Sequence, residues 1–248
     1  MSIQDVRGKS ETPSAQSGRK NNNRSKIYRF FIACEGEKTE VNYFKSLINT
    51  MSLVIELDKD YIQGFGRSTK ALLKKADKEK KKLEKNNSFK FDSAWIVFDK
   101  DNFDPDLFNA AINESKNKGF KSAWTNEAFE LWYLLHFNYV NTGMSRDQYG
   151  KKLTNIIKEK GEKGFKYKKN DKHTYGLLKK YGNEEQAIKY AKRLRDVFDN
   201  QKYADHNPCT WVDELVKEIQ GVNDDEFKIK APKAFFSEMQ QNKNCYEK

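Results

Sequence analysis

Two short acidic motifs in this chain have the residue types and spacing to handle a metal-bound phosphate. Cys34-Glu35-Gly36-Glu37-Lys38-Thr39-Glu40 directly follows an almost continuously apolar run of strand length, and Phe98-Asp99-Lys100-Asp101 directly follows another. An Asp-x-Asp at a strand end aims two carboxylates at one hard cation, and Mg²⁺ is held through one or two carboxylates while water and substrate phosphate complete its shell. Such an ion polarises a phosphodiester and stabilises the charge that develops on displacement. Each motif alone is weak, because an isolated Asp-x-Asp is more often a loop or capping device. Together they say more: two acidic clusters at two strand ends of one sheet repel each other unless a cation neutralises them.

The elements that must position these carboxylates are readable from periodicity. Ile27 to Cys34 is apolar enough for a central strand buried on both faces. Thr39 is placed to cap a helix with Tyr43, Phe44, Leu47, Ile48 and Met51 on one face. A second strand is expected at Leu53 to Leu57, then the loop Gln63-Gly64-Phe65-Gly66-Arg67 and a Ser68-capped, very basic helix carrying Leu72, Leu73, Ala76 and Leu83. Trp95 to Phe98 reads as a third strand, Asp104-Pro105 as the cap and first turn of a helix with Leu107, Phe108, Ala111 and Ile112, and Phe120 to Trp124 as a fourth strand. This β-α-β-α-β-α-β order implies an α/β fold with a mostly parallel sheet flanked by helices, whose ligands bind beyond the C-terminal strand ends. Glu127 to Phe137 (EAFELWYLLHF) should be a deeply packed helix. Beyond Ser145 the pattern turns helical, with segments around Leu153 to Ile157, Ala187 to Phe198 and Pro208 to Ile219.

Four further positions carry chemistry or mimic it. Glu40 is either a second acidic ligand or a first-turn glutamate favoured by the helix dipole. Glu130, inside an otherwise apolar helix, must reach the acidic site or pair with a cation in the core, since an unpaired buried carboxylate is costly. Asn126 is placed for capping, with substrate contact as the other reading, and His136 in WYLLHF reads as a hydrogen-bonded core histidine before a catalyst. The stretch Lys158 to Tyr175 (KEKGEKGFKYKKNDKHTY) interleaves lysines with Phe165, Tyr167 and Tyr175. It is a solvated loop or a nucleic-acid tracker in which Lys166, Lys168, Lys169, Tyr167 and His173 meet phosphates and bases.

The bulk composition agrees with a polyanion partner. The formal net charge is +11 and the isoelectric point about 9.3, which attracts nucleic acid unless the lysines only solvate the surface. The 17 Phe, 12 Tyr and 4 Trp sustain a core despite a mean hydropathy of -0.96. Cys34, Cys209 and Cys245 have no paired spacing, so neither a disulfide framework nor a zinc cluster is suggested, and a reducing cytoplasm fits. We expect no secretory or membrane-spanning segment. No Walker loop is present, so any ATP dependence would come from another chain.

The run IACEGEKTEVNYF, then VFDKD, TNEAFELWYLLHF and NPCTWVDELV, is similar to the RloB-like family, and EGEKTE with DKD resembles the Glu and Asp-x-Asp motifs of the Toprim fold. The likeness runs from about residue 27 to residue 216. It implies a Toprim-like (Rossmann-like) sheet, while composition and periodicity divide the chain into a flexible basic tail over 1–25, an α/β domain over 26–140, a C-terminal helical extension with its lysine and aromatic loop over 141–220, and a charged tail over 221–248. It also implies a Mg²⁺-dependent (or Mn²⁺-dependent) nuclease of bacterial anti-phage defence and abortive infection, acting beside an ATPase partner. By position, Glu35, Asp99 and Asp101 match the metal ligands, with Glu130 and Glu40 as further catalytic carboxylates. Arg67, Lys38 and Lys100 are placed to neutralise the scissile phosphate. RNA, transfer RNA included, is favoured over DNA as substrate, and self-association is left open. A rival reading keeps the same scaffold as a non-catalytic nucleic-acid- or protein-binding adaptor.

Overall fold

The computed structural model describes residues 29–50, 61–66 and 69–221. The two expected tails, the start of the first strand at Ile27, the strand at Leu53 to Leu57, Arg67, the Ser68 cap and Cys245 lie outside the described residues, Gly221 of the second tail excepted.

Among the described residues, five strands form one sheet in the order β2-β1-β3-β4-β5. β1 (Phe30–Cys34), β2 (Ile62–Gly64), β3 (Ser93–Asp99) and β4 (Lys121–Asn126) run parallel, and β5 (Cys209–Thr210) pairs antiparallel with β4. β1 is fully buried because both of its faces are covered. Phe30, Ile32 and Cys34 face a core shared with α1 (Thr39–Asn49), α4 (Glu130–Leu135) and the C-terminal helices α5 (Arg146–Glu159), α6 (Thr174–Tyr181), α7 (Glu184–Arg195) and α8 (Val212–Ile219). Phe31 and Ala33 face the opposite core, with Leu72, Leu73 and Ala76 of α2 (Thr69–Asn86) and Phe108 of α3 (Pro105–Asn117). The α/β class with a mostly parallel sheet is as the residues predict. The apolar faces of the helical extension pack into the core on one side of the sheet.

Four local expectations are corrected. The segment read as a loop contains β2, whose Gly64 lies so close to the turn after β1 that a Cβ there would fall 2.4 Å from the Glu37 Cα. The glycine therefore marks close backbone approach within a strand rather than a turn. Cys209 and Thr210 were expected to be helical, but they pair with Asn126 and Thr125, and the Thr125 and Thr210 hydroxyls lie 2.9 Å apart. Long-range pairing here overrides local helical periodicity. α4 begins at Glu130 instead of Glu127, because the preceding backbone serves the loop after β3: Lys100 N–H donates to Thr125 O at 2.8 Å and Asp101 N–H to Glu127 O at 3.1 Å. Thr39 does not cap α1; its hydroxyl donates to Lys169 O. The Asp104-Pro105 start of α3 is as expected, with Asp104 Oδ1 accepting from Asp106 N and Leu107 N.

His136 is a core residue, only 4% exposed. Its Nδ1 lies 2.9 Å from Trp132 O and its ring stands edge-on to Trp132. Burial pushes its pKa down from 6.5 to about 4. Because the folded value lies below the unfolded one, the neutral imidazole contributes fully above pH 6.5 and the contribution drains away as pH falls from 6.5 towards 4. Denaturant titrations are expected to show about 3 kcal/mol more acid destabilisation for the wild type than for His136→Gln across that window. Equal slopes would place the acid sensitivity elsewhere.

Candidate active site

The strand order reverses between β1 and β3, since β1 is followed by β2 on one side and by β3 on the other. A crevice opens at such a switch point beyond the C-terminal strand ends, and Glu35 and Asp99 stand there. Glu35 N–H donates to Val97 O at 2.8 Å, which continues the β1–β3 ladder one residue past β1. Its Oε2 accepts from the backbone N–H of Asp99 at 3.3 Å, so the two motifs touch directly. Asp101 sits at φ 39°, a left-handed turn that Asp tolerates better than most residues.

Two more carboxylates come in from the helices. Glu40, in the first turn of α1, is 4% exposed, and its Oε2 is buried without a hydrogen-bond partner. It lies against Gly36, where a Cβ would fall 2.1 Å from Glu40 Oε2; the glycine leaves the room that the carboxylate fills. Glu130, at the start of α4, is 2% exposed; its Oε1 accepts from the Tyr167 hydroxyl at 2.8 Å and its Oε2 is buried without a partner. Of the two readings left open for Glu130, the structure brings it to the acidic site.

Among the described residues, one cation forms ion pairs with this cluster. Arg146, the first residue of α5, places NH2 3.2 Å from Asp99 Oδ2 and NH1 3.2 Å from Asp101 Oδ2. The start of α5 is fixed by Gln148, whose Oε1 accepts from Ser145 N at 2.7 Å. Arg146 has no motif to announce it in the sequence. The signal that would have found it is charge accounting, since five converging acids need a counter-charge.

The electrostatics follow from crowding in a low-dielectric crevice. Burial pushes Glu35 up to about 7; the Asp99 N–H bond opposes this, Glu40 and Asp101 add to it, and Arg146 opposes it. Burial, then Glu40 and Glu130, hold Asp99 well above the usual carboxylate range against the pull of Arg146. Glu40 is raised chiefly by burial, with Glu130 adding and Lys169 opposing. Pairs of carboxylates that resist joint ionisation are what a divalent cation relieves.

The remaining sequence-derived residues are placed differently. Lys100 turns its ammonium onto Phe103 O and Asp101 O of its own loop, and Lys38 is exposed at the N-cap of α1. Lys166, Lys168, Lys169 and His173 are exposed on the 158–175 stretch. That stretch is bolted to the site by Thr39 on Lys169 O, by Asn42 Nδ2 on Asn170 O at 3.3 Å, and by Tyr167 on Glu130. Tyr167 thus spends its hydroxyl and much of its ring on the site wall. Asn126 does not cap α4; its Nδ2 donates to Ala204 O at 2.9 Å.

The donor set suits a hard divalent cation, being all carboxylate oxygen with two buried atoms lacking partners. Among the described residues, no group of three or more His, Cys, Asp or Glu side chains is placed so that it could hold a metal ion as it stands, and Arg146 bridges the Asp-x-Asp pair instead. No described helix is long and apolar enough to cross a membrane. No curated protein and no solved structure matches the chain. A family model described as RloB-like protein matches residues 30–219, from the first residue of β1 to the last of α8, and the chain therefore belongs to the RloB-like family.

Proposed function

We propose that the crevice is the site of a Mg²⁺-dependent (or Mn²⁺-dependent) nuclease of Toprim type, with Glu35, Asp99 and Asp101 as ligands of the ion and Glu40 and Glu130 completing its acidic wall. The observation that carries this reading is the convergence of five carboxylates on one guanidinium at the switch point of a parallel sheet. When bound, the cation supplies Lewis-acid stabilisation of the charge that grows on a phosphodiester oxygen. Glu35 would hold the ion from the end of β1, and its alternative role there is to orient water or take its proton. Asp99 and Asp101 would hold the ion at the end of β3, and the reacting phosphate would be positioned through that ion. In this reading the enzyme acts in anti-phage defence beside an ATPase partner, as the resemblance implies; the unpaired cysteines fit the cytoplasm, and RNA is taken over DNA as the substrate class.

The lysine strap serves as the nucleic-acid approach in this reading. Lys166, Lys168 and Lys169 are exposed on a segment whose neighbours are hydrogen-bonded to the site wall, so phosphates drawn to them lie beside the carboxylates. Replacing all three by Ala is expected to weaken nucleic-acid binding and to flatten the plot of log K against log salt by about two to three units, measured by fluorescence anisotropy. An unchanged slope would remove the strap from the interface. The chemistry itself is tested by cleavage of RNA and DNA in Mg²⁺ and by its loss on chelation.

One observation favours the second reading, a non-catalytic adaptor built on the same scaffold. Arg146 already satisfies Asp99 and Asp101, as it would in a site that never takes an ion. Cleavage activity separates the two readings.

A further inference from the structure

We propose that Arg146 is an internal counter-ion that occupies the cation position of the acidic site, so that a divalent ion gains Asp99 and Asp101 only as the guanidinium leaves them. This inference rests on the metal-site reading above and concerns how that site is held before the ion arrives.

The first argument is where Arg146 sits. A cation in the first turn of a helix stands at the unfavourable end of the helix dipole. The position makes sense through the carboxylates facing it and not through α5. Its two contacts go to the same two side chains that the metal needs, at 3.2 Å each.

The second argument is the contrast with a guanidinium that is plainly permanent. Arg195 grips both carboxylate oxygens of Asp213, donates to Thr210 O at 2.8 Å and to Glu214 at 2.9 Å, and stacks on Trp211 at 4.8 Å. Arg146 makes one contact with each of two separate carboxylates, leaves its buried Nε without an acceptor, and shares Asp101, whose side chain is 42% exposed. That is a clasp with a path to solvent, weaker and less complete than the Arg195 anchor.

The third argument is what the clasp leaves behind. Glu40 Oε2 and Glu130 Oε2 stay buried and unpartnered although a guanidinium is nearby, so the charge of the cluster is only partly met. A dication brings twice the charge of Arg146 and no fixed fork geometry, which suits a set of oxygens arriving from β1, β3, α1 and α4. Lys100 cannot take over the role of Arg146, because its ammonium is turned onto loop carbonyls.

The test is calorimetric titration of Mn²⁺ into the full chain as wild type and as Arg146→Met, which keeps the stem and removes the charge. The expected result is tighter binding by the variant, by about tenfold or more, as removal of a competing unit charge at this range requires. Equal or weaker binding by Arg146→Met, with the wild type still binding, overturns the inference and leaves the metal-site reading standing. If neither protein binds Mn²⁺, the metal-site reading falls and this inference falls with it. Should Arg146→Met fail to fold, the wild type decides: the Nε–Hε resonance of Arg146, identified by its absence in Arg146→Lys, is expected to shift as Mg²⁺ saturates the protein. A resonance that stays in place while Mg²⁺ binds overturns the inference equally.

Discussion

Asp99→Asn is expected to lower Mg²⁺-dependent cleavage by roughly 10²- to 10³-fold or more while the protein folds and binds nucleic acid almost as before. Asparagine keeps the size and one acceptor oxygen of the side chain but removes the charge that draws a cation. The geometry makes this a clean substitution. Asp99 lies where four other carboxylates and one guanidinium meet, and it is held well above the ordinary carboxylate range by burial and by Glu40 and Glu130. Neutralising it relieves repulsion in the ion-free protein, so the melting temperature is expected to stay level or rise, even though the Arg146 contact weakens. A site whose removal costs catalysis but not stability has the signature of a functional constellation. Activity that survives the change, or a drop of many degrees in melting temperature, would instead mark Asp99 as structural.

The opposite signature is expected at Asp213. This aspartate is fully buried, paired through both oxygens with Arg195 and at 3.0 Å with Lys217. It joins the start of α8 to the end of α7, beside the short β5 that closes the sheet. Asp213→Ala leaves Arg195 buried with its main partner gone, and breaking such a pair costs about 3–5 kcal/mol, or roughly 10 °C in melting temperature for a chain of this size. Thermal unfolding checks it. A double change of Arg195→Met and Asp213→Leu is expected to recover much of the loss, because no charge is then stranded. A melting temperature unmoved by Asp213→Ala would show that Glu214 at 2.9 Å, Thr210 O and the Trp211 ring hold Arg195 without Asp213.

Most of what positions the site was legible in the residues, and the parts that were not share a physical reason. Apolar runs bounded by turn chemistry revealed β1, β3 and β4, because strands buried on both faces have no polar alternation to confuse them. The acidic motifs could then be placed at strand ends by position alone. β2 and β5 escaped notice since each is short and owes its existence to pairing: Ile62 to Gly64 with β1, and Cys209–Thr210 with β4. Neither carries enough local signal, and Gly64 and Pro208 argue locally for a turn and a helix start. Arg146 and the Tyr167 hydroxyl stayed hidden for a related reason. Both join the site from far along the chain, and only the fold brings α5 and the lysine strap over the ends of β1 and β3. Glu130 was visible as a buried charge in an apolar helix, but which partner met it needed the structure.

The most direct test of the central claim is a cleavage time course with the purified full chain on transfer RNA, other RNA, and single- and double-stranded DNA, each with Mg²⁺ and with Mg²⁺ plus excess chelator. The account predicts that at least one of these is cut in Mg²⁺ and that cutting stops with chelator. Cutting that continues undiminished in chelator, or the absence of cutting on every substrate in Mg²⁺ and in Mn²⁺, would contradict it.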